Sequence, residues 1–238
     1  MSKQKAFVSV IIIALNEEEA IANVIHAVPA NVADEIVVVD NGSTDRTAEV
    51  ARTAGARVVT EKIPGYGRAF RAGLHSISPR CEIVVFLDGD GSDCPEMMDR
   101  LVTPISNGTA DFVIGSRTRG TRERGSMNFH QVLAGYMVGF VLRLLYGVSS
   151  TDMGPFRAIR RDTLESLKLR EETYGWPLEM QMRAAQAGVR TLEVPVNYRR
   201  RAGGHSKIAG SVRGSVLAAT RILITLARLA IYQRKDRG

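Results

Sequence analysis

The stretch "VVFLDGDGSDCPE", residues 84–96, decides the fold. An apolar run, Val84–Leu87, leads straight into three carboxylates, Asp88, Asp90 and Asp93, with glycine at 89 and 91. Such a run reads as a strand buried on both faces, as strands of parallel sheets are. Glycine weakens a strand, and burying a carboxylate is costly. The strand therefore ends where negative charge and close backbone approach are wanted. In an open α/β sheet that place is the rim beyond the carboxyl ends of the strands, where ligands bind.

The flanking sequence supplies the rest of the sheet. "FVSVIIIAL" (7–15), "DEIVVVD" (34–40), "ARVVTE" (56–61), "CEIVVFLD" (81–88) and "DFVIGSR" (111–117) read as strands. Between the first two, "NEEEAIANVIHAVP" predicts a helix capped by Asn16, with acids in its first turn. Ala20, Ile21, Val24, Ile25 and Val28 form its inward face. "GSTDRTAEVARTAG" predicts a second helix, with Ser43 or Thr44 as cap and Gly55 as stop. "GYGRAFRAGLHSI" is a loop and then a helix, and another helix falls near 95–106. This alternation with short connections predicts a mostly parallel, Rossmann-like α/β sheet with helices on both faces.

The second half reads differently. "FHQVLAGYMVGFVLRLLYG" (129–147) is a mostly apolar helix with Arg143 as its only Lys or Arg. "STDMGPFRAIRRDTLESL" reads as a loop entering a helix, "YGWPLEMQMRAAQAG" as a helix and "RTLEVPVNYRRR" as a strand. "SVRGSVLAATRILITLARLAIY" (211–232) predicts an amphipathic C-terminal helix, with Arg213, Arg221 and Arg228 sharing one side. No stretch reaches about 18 apolar residues without a charge, so no transmembrane span is predicted.

Of the 238 residues, 45% are hydrophobic, enough for a sizeable core. The net charge of +7 is unevenly placed. From Asn197 onward there are ten Lys/Arg and one acid, so the remainder, with 22 and 24, is nearly neutral. A basic tail suits anionic lipid, nucleic acid or phosphorylated ligands. No aromatic-rich basic platform or nucleic-acid motif supports the second of these. Cys81 and Cys94 form no CxxC, and the N-terminus has no long apolar h-region. Both point to reduced thiols in a cytoplasmic setting.

Four strand ends carry chemistry: Asn16–Glu17, Asp40, Asp88 with Asp90, and Arg117. An Asp-x-Asp at a strand end suits a hard divalent cation that completes its shell with water and phosphate oxygens. Taken alone it is also a solvated acidic turn. Asp40 can accept from a ribose hydroxyl or a base N–H, or form an Asx turn at the next helix, and both can hold together. "ALNEEEA" stands where a GxGxxG would follow strand one, so a dinucleotide fingerprint is absent.

"VSVIIIALNEEEAI", "EIVVVDNGSTDRT", "GYGRAFRAG" and "VFLDGDGSDCPE" together resemble family 2 glycosyltransferases of the GT-A fold. "DMGPFRAIRRD", "LEMQMRAAQAGVRTLEVPV" and "RRRAGGHSKI" extend the likeness to the dolichyl- or polyprenyl-phosphate sugar synthases, over about residues 6–210. The resemblance implies a transferase domain over 1–210, with a nucleotide-binding half to about 117 and an acceptor half over 118–210. The basic helix and tail, 211–238, follow it.

It also implies roles. Ala14, Leu15, Asn16 and Glu17 flank the base and ribose, Asp40 holds the nucleotide, and Gly67 lies in a donor-side loop. Asp88 and Asp90 carry Mg²⁺ or Mn²⁺ on the donor diphosphate, and Gly89 lies against the donor. Relatives have glutamine where Ser92 stands, which leaves Ser92 or Asp93 as the further metal contact. Asn41 occupies a position where a second Asp is frequent. Arg117 falls near the acceptor phosphate, with His130 as a second acceptor-side candidate. Arg201, Ser206 and Lys207 form a basic loop over the phosphates, and Glu179 borders the acceptor site.

The implied reaction is an in-line displacement with inversion, from a UDP- or GDP-sugar to a polyprenyl phosphate. An anionic acceptor needs no base; for a hydroxyl acceptor, Glu179 or Asp152 would be the base. Plainer readings stand beside these: a salt bridge for Arg117, a helix-face pair with Arg183 for Glu179, a solvated loop for "RRRAGGHSK". The helices 129–146 and 211–232 read as a core or homo-oligomer interface, or as a peripheral seat on the cytoplasmic face of a membrane.

Overall fold

The structure is a computed structural model and describes residues 5–202. The expected helix at 211–232, and Ser206 and Lys207, lie outside the described residues.

In chain order the elements are β1 (Val8–Ala14), α1 (Ile21–Ala27), β2 (Glu35–Asp40), α2 (Thr47–Thr53), β3 (Arg57–Thr60), α3 (Tyr66–Ser76) and β4 (Ile83–Asp88). A 3-10 turn at Pro95–Met97 leads into α4 (Asp99–Ser106). Then come β5 (Phe112–Ser116), α5 (Phe129–Tyr146), β6 (Arg157–Arg160), α6 (Arg161–Ser166), α7 (Trp176–Gln186) and β7 (Thr191–Pro195). The strands form one seven-stranded sheet in the order β3-β2-β1-β4-β6-β5-β7. Every pairing is parallel except those of β6, which runs against β4 and β5.

The apolar runs bury both their faces, as a covered parallel sheet requires. Val10, Ile12, Val85 and Leu87 meet α1 and α4, through Ile21, Ile25, Met98 and Leu101. Ile11, Val37, Val39 and Phe86 meet α3, α6 and α7, through Phe70, Leu164, Trp176 and Met180. The inward face read for α1, Ala20 to Val28, is buried throughout. α5 packs on α7 through Val138, Leu142, Leu178 and Met182. Its other side leaves Phe129, Leu133, Tyr136, Met137, Phe140 and Leu144 exposed. Among the described residues, no helix is long and apolar enough to cross a membrane.

Three local expectations are corrected. "STDMGPFRAIRRDTLESL" contains β6, not only a loop entering a helix. Four residues bounded by arginines carry no strand signature, and Arg157 within them is fully buried. Asn16 does not cap α1: it adopts a left-handed φ of 55°, and the helix begins at Ile21. Ser43 and Thr44 do not cap α2, which starts at Thr47, where Asp45 accepts from the Thr47 amide at 2.9 Å.

Candidate active site

The register of the sheet brings the loaded strand ends together. Ala14 pairs with Asp40, and Ile13 with Asp88, so β2, β1 and β4 end side by side. The loop after β1 is tied to the loop after β2. The Asn16 amide donates to Ser43 Oγ at 2.9 Å, and Asn16 Oδ1 accepts from the Thr44 amide at 2.8 Å. The Asn41 amide donates to Ala14 O at 2.9 Å. Asp40 Oδ1 accepts from the Ser43 amide, three residues on, at 3.0 Å, so its side chain braces the loop after β2. Asn41 is fully engaged in structure: Nδ2 donates to Glu61 O and Ile63 O, and Oδ1 accepts from Gly65 N.

Beyond β4 the chain folds tightly on itself. Asp90 Oδ1 accepts from the Ser92 amide at 2.9 Å and from the Ser92 hydroxyl. Asp93 Oδ2 accepts from the Asp88 amide at 3.2 Å, while the buried Asp93 Oδ1 has no partner among the described residues. The Tyr66 hydroxyl donates to Asp88 Oδ1 at 3.0 Å. Burial, and then the charge of Asp90, push the Asp88 carboxyl up to about 7. Burial, with Asp88 and Asp90 behind it, pushes Asp93 well above the carboxylate range. The cluster is short of positive charge.

That shortage tests the fit to a metal. An orphaned carboxylate oxygen and hard oxygen donors on one tight turn suit a divalent cation. Among the described residues no three acid, His or Cys side chains are grouped closely enough to hold a metal alone. The remaining ligands would come from water and phosphate. Ser92 Oγ is committed to Asp90 and lies 3.1 Å from the Tyr198 hydroxyl.

The glycines prove to serve the chain itself. A Cβ on Gly89 would lie 3.0 Å from Ile13 O and 3.1 Å from Ala14 Cβ. Gly91 has a φ of +78°, which side-chain-bearing residues rarely adopt. Neither position needs a bound diphosphate to explain it. Gly67 likewise makes room for the backbone of Glu171, which a Cβ would strike at 2.2 Å.

Arg117, just past β5, is buried and forms a fork with Asp152. Nε and Nη2 reach the two carboxylate oxygens at 2.8 and 2.7 Å, and the Arg117 amide adds a third bond at 2.8 Å. Burial opposes its charge, but Asp152 outweighs that and raises its pKa. Burial works against Asp152 too, yet Arg117 holds that carboxyl below its ordinary value. Asp152 is therefore engaged as the counter-ion of Arg117, which lowers its basicity. Arg117 Nη1 makes no hydrogen bond among the described residues, and the guanidinium stacks 4.9 Å from the Tyr198 ring.

Glu179 is also put to another use. Its carboxylate accepts from the amides of Arg170 and Glu171 at 2.9 and 2.7 Å, and from Arg183 Nε at 2.8 Å. It clamps the 170–174 loop, with the i+4 pair as part of that clamp. Arg201 pairs with Glu17 and lies 3.2 Å from Asp90 Oδ2. His130 is in the first turn of α5.

Sequence reasoning passed over three residues. Tyr66 orients Asp88 and lies in "GYGRAF", where only the glycines drew notice. Tyr198, in "VNYRRR", sits between Arg117 and Ser92. Arg157 gave no signal: its guanidinium donates to Gly154 O and Pro177 O at 3.1 Å each, and burial lowers its pKa to about 10.

Residues 9–168 match the family described as glycosyl transferase family 2. An uncharacterised glycosyltransferase of Mycobacterium tuberculosis is 39% identical over 89% of this chain and 94% of its own length. A dolichyl-phosphate hexose transferase of Haloferax volcanii is 35% identical, covering 79% of this chain and 81% of that protein. An undecaprenyl-phosphate mannosyltransferase of Micrococcus luteus is 30% identical, covering 77% and 79%. Among solved structures, glucosyl-3-phosphoglycerate synthase of M. tuberculosis matches with a TM-score of 0.72 and 27% identity. It covers 92% of this chain and 79% of that one, and holds Mn²⁺, UDP-glucose and phosphoglyceric acid.

Proposed function

Since the chain belongs to glycosyl transferase family 2, we propose that it moves a sugar, with inversion, from a nucleoside-diphosphate donor to a polyprenyl phosphate. The observation that carries the donor half is the charge-starved turn of Asp88, Asp90 and Asp93 with Arg201 against it, on the same rim as Asp40. Asp88 and Asp90 would hold Mg²⁺ or Mn²⁺, with Asp93 Oδ1 the available further oxygen. Bound there, the ion would neutralise charge on the leaving diphosphate. The Mn²⁺ and UDP-glucose in the related synthase support this. Asp40 and the Ala14–Glu17 loop would receive the base and ribose. At Gly67 and Gly89 the space a Cβ would take is filled by the chain itself, so packing already requires glycine there.

For the acceptor, two relatives named for polyprenyl-type phosphates support a lipid phosphate. The geometry supports it independently. Glu179 and Asp152, the two carboxylates expected to serve as a base, are both engaged, and an anionic phosphate oxygen needs none. Arg117, held rigid by Asp152, keeps Nη1 to orient such an anion. The exposed apolar side of α5 would seat the protein on a membrane surface near the acceptor.

A second reading is transfer to a soluble or lipid hydroxyl. The phosphoglyceric acid complex of the related synthase favours it. Labelled UDP- and GDP-sugars offered with a polyprenyl phosphate separate the two. The expected product is an organic-soluble sugar phosphate whose label is released by mild acid. An acid-stable product formed only with a hydroxyl acceptor would establish the second reading instead.

A further inference from the structure

Arg201 stands where the carboxylate turn lacks positive charge. Its Nη1 is 3.2 Å from Asp90 Oδ2, and its Nη2 pairs with Glu17 Oε1. This is not the reach of an untethered arm, because the backbone around it is fastened to the same turn. The Arg199 amide donates to Ser92 O at 2.8 Å, and the Ala202 amide to Asp90 O at 3.0 Å. Tyr198 forms a bridge with Asp93. Gly91 is packed so closely that a Cβ there would lie 3.2 Å from Ala202 Cβ. Residues 198–202 are thus laid along residues 90–93, and Arg201 is delivered to Asp90 by main-chain bonds.

The arrangement is incompletely satisfied. Arg201 Nε is buried and has no partner among the described residues, as Asp93 Oδ1 has none. An unmade bond to a buried charged group is a standing cost. The pair Arg201–Asp90 therefore balances charge without reaching a fully bonded state.

We propose that Arg201 is an internal counter-ion that competes with the divalent metal for Asp90, so that metal entry and the release of Arg201 from Asp90 are one event. The inference rests on Asp88 and Asp90 being metal ligands, and adds a sequence of binding to that reading. Metal alone meets a guanidinium already on its ligand and binds weakly. Metal arriving with a nucleoside diphosphate offers the displaced guanidinium a new anion. The turn therefore favours the metal–nucleotide complex over the free ion.

The test is Mn²⁺ binding to the full chain by titration calorimetry, with and without UDP, for wild type, Arg201→Gln, Arg201→Lys and Asp90→Ala. A neighbouring guanidinium lowers a carboxylate's affinity for a proton by about one to three powers of ten, and a metal ion on the same oxygens meets the same repulsion. Arg201→Gln is expected to bind Mn²⁺ alone about tenfold or more tighter than wild type, and to lose the gain that UDP brings. Arg201→Lys keeps the charge but reaches only one of the two carboxylates, so its affinity for Mn²⁺ alone falls between the two. It also serves should the glutamine variant fail to fold. If both Arg201 variants bind Mn²⁺ alone no tighter than wild type, while Asp90→Ala abolishes binding, competition is refuted and the metal assignment stands. If Asp90→Ala binds Mn²⁺ as wild type does, the metal assignment falls, and this inference with it.

Discussion

Two charged clusters share the rim of the sheet, and they are built on opposite terms. Arg117 and Asp152 are one cation and one anion, joined by a two-pronged fork and a main-chain bond. Asp88, Asp90 and Asp93 crowd one turn with Arg201 as the guanidinium that reaches Asp90, and that arginine is shared with Glu17. The first cluster is complete without a ligand and fixes geometry. The second is left short of positive charge among the described residues. A buried balanced pair contributes position, whereas a buried imbalance stores binding potential.

The difference is broken most forcefully at Asp152. Asp152→Ala leaves Arg117 buried without its counter-ion, which is expected to cost about 3–5 kcal/mol of folding stability. Urea unfolding measures it. Replacing both residues by apolar ones should return much of that loss, yet should not restore use of an anionic acceptor. If Asp152→Ala were as stable as wild type, the fork would not be the structural element described.

On the unbalanced side, Asp90→Ala is expected to leave the fold intact and to weaken Mn²⁺-dependent binding of UDP by about a hundredfold or more, since it removes a full charge from the donor set. Calorimetry with Mn²⁺ and UDP reads this directly. Unchanged affinity would mean that Asp90 does not hold the metal.

Much of this contrast was visible in the sequence, but unequally. The unbalanced cluster was legible because its residues are consecutive: an apolar strand ending in Asp-Gly-Asp can be read by eye. The parallel strands were legible for the same reason, each being a continuous β-branched run. The balanced cluster was only half legible. Arg117 and Asp152 are 35 residues apart, and their fork depends on how α5 and the loop before β6 return to β5. β6 itself was missed because its burial rests on Arg157, a residue type that normally signals exposure. The loop-clamping bonds of Glu179 are not legible, because they go to backbone amides, which have no sequence identity.

Asp88 offers a way to see the imbalance without any ligand. Its ordinary value is 3.8, and the fold raises it to about 7 through burial and then Asp90. A carboxyl raised on folding contributes stability that is fully present below its unfolded value and lost as pH rises through its folded one. The metal-free protein should therefore lose stability between about pH 4 and pH 8. Asp88→Asn should flatten that decline and be more stable than wild type near pH 8, although it cannot hold the metal. Thermal melts across pH in the presence of a chelator decide this. A decline equally steep in the variant would place the burden on Asp93 alone.

The smallest expected effect belongs to Tyr66, which touches the unbalanced cluster from outside. Its hydroxyl donates to Asp88 Oδ1 at 3.0 Å, and its ring meets Phe70 edge-on with centroids 5.0 Å apart. Phe70 stacks on Trp176 at the start of α7. Tyr66 thus links a carboxylate of the donor site to the layer beneath the sheet. Tyr66→Phe keeps the ring and removes one hydrogen bond to a charged group, a change of about 1.5–3 kcal/mol at most in a buried setting. Two opposing consequences follow. Asp88 loses a donor that favours its charged form, which weakens metal binding at pH 7. It also gains freedom to turn toward the ion, which partly offsets that loss. The expected net result is a several-fold weaker Mn²⁺–UDP affinity at pH 7 that recovers at higher pH, where Asp88 is ionised without help. A loss that persists unchanged at high pH would assign Tyr66 to fixing the orientation of Asp88 rather than its charge.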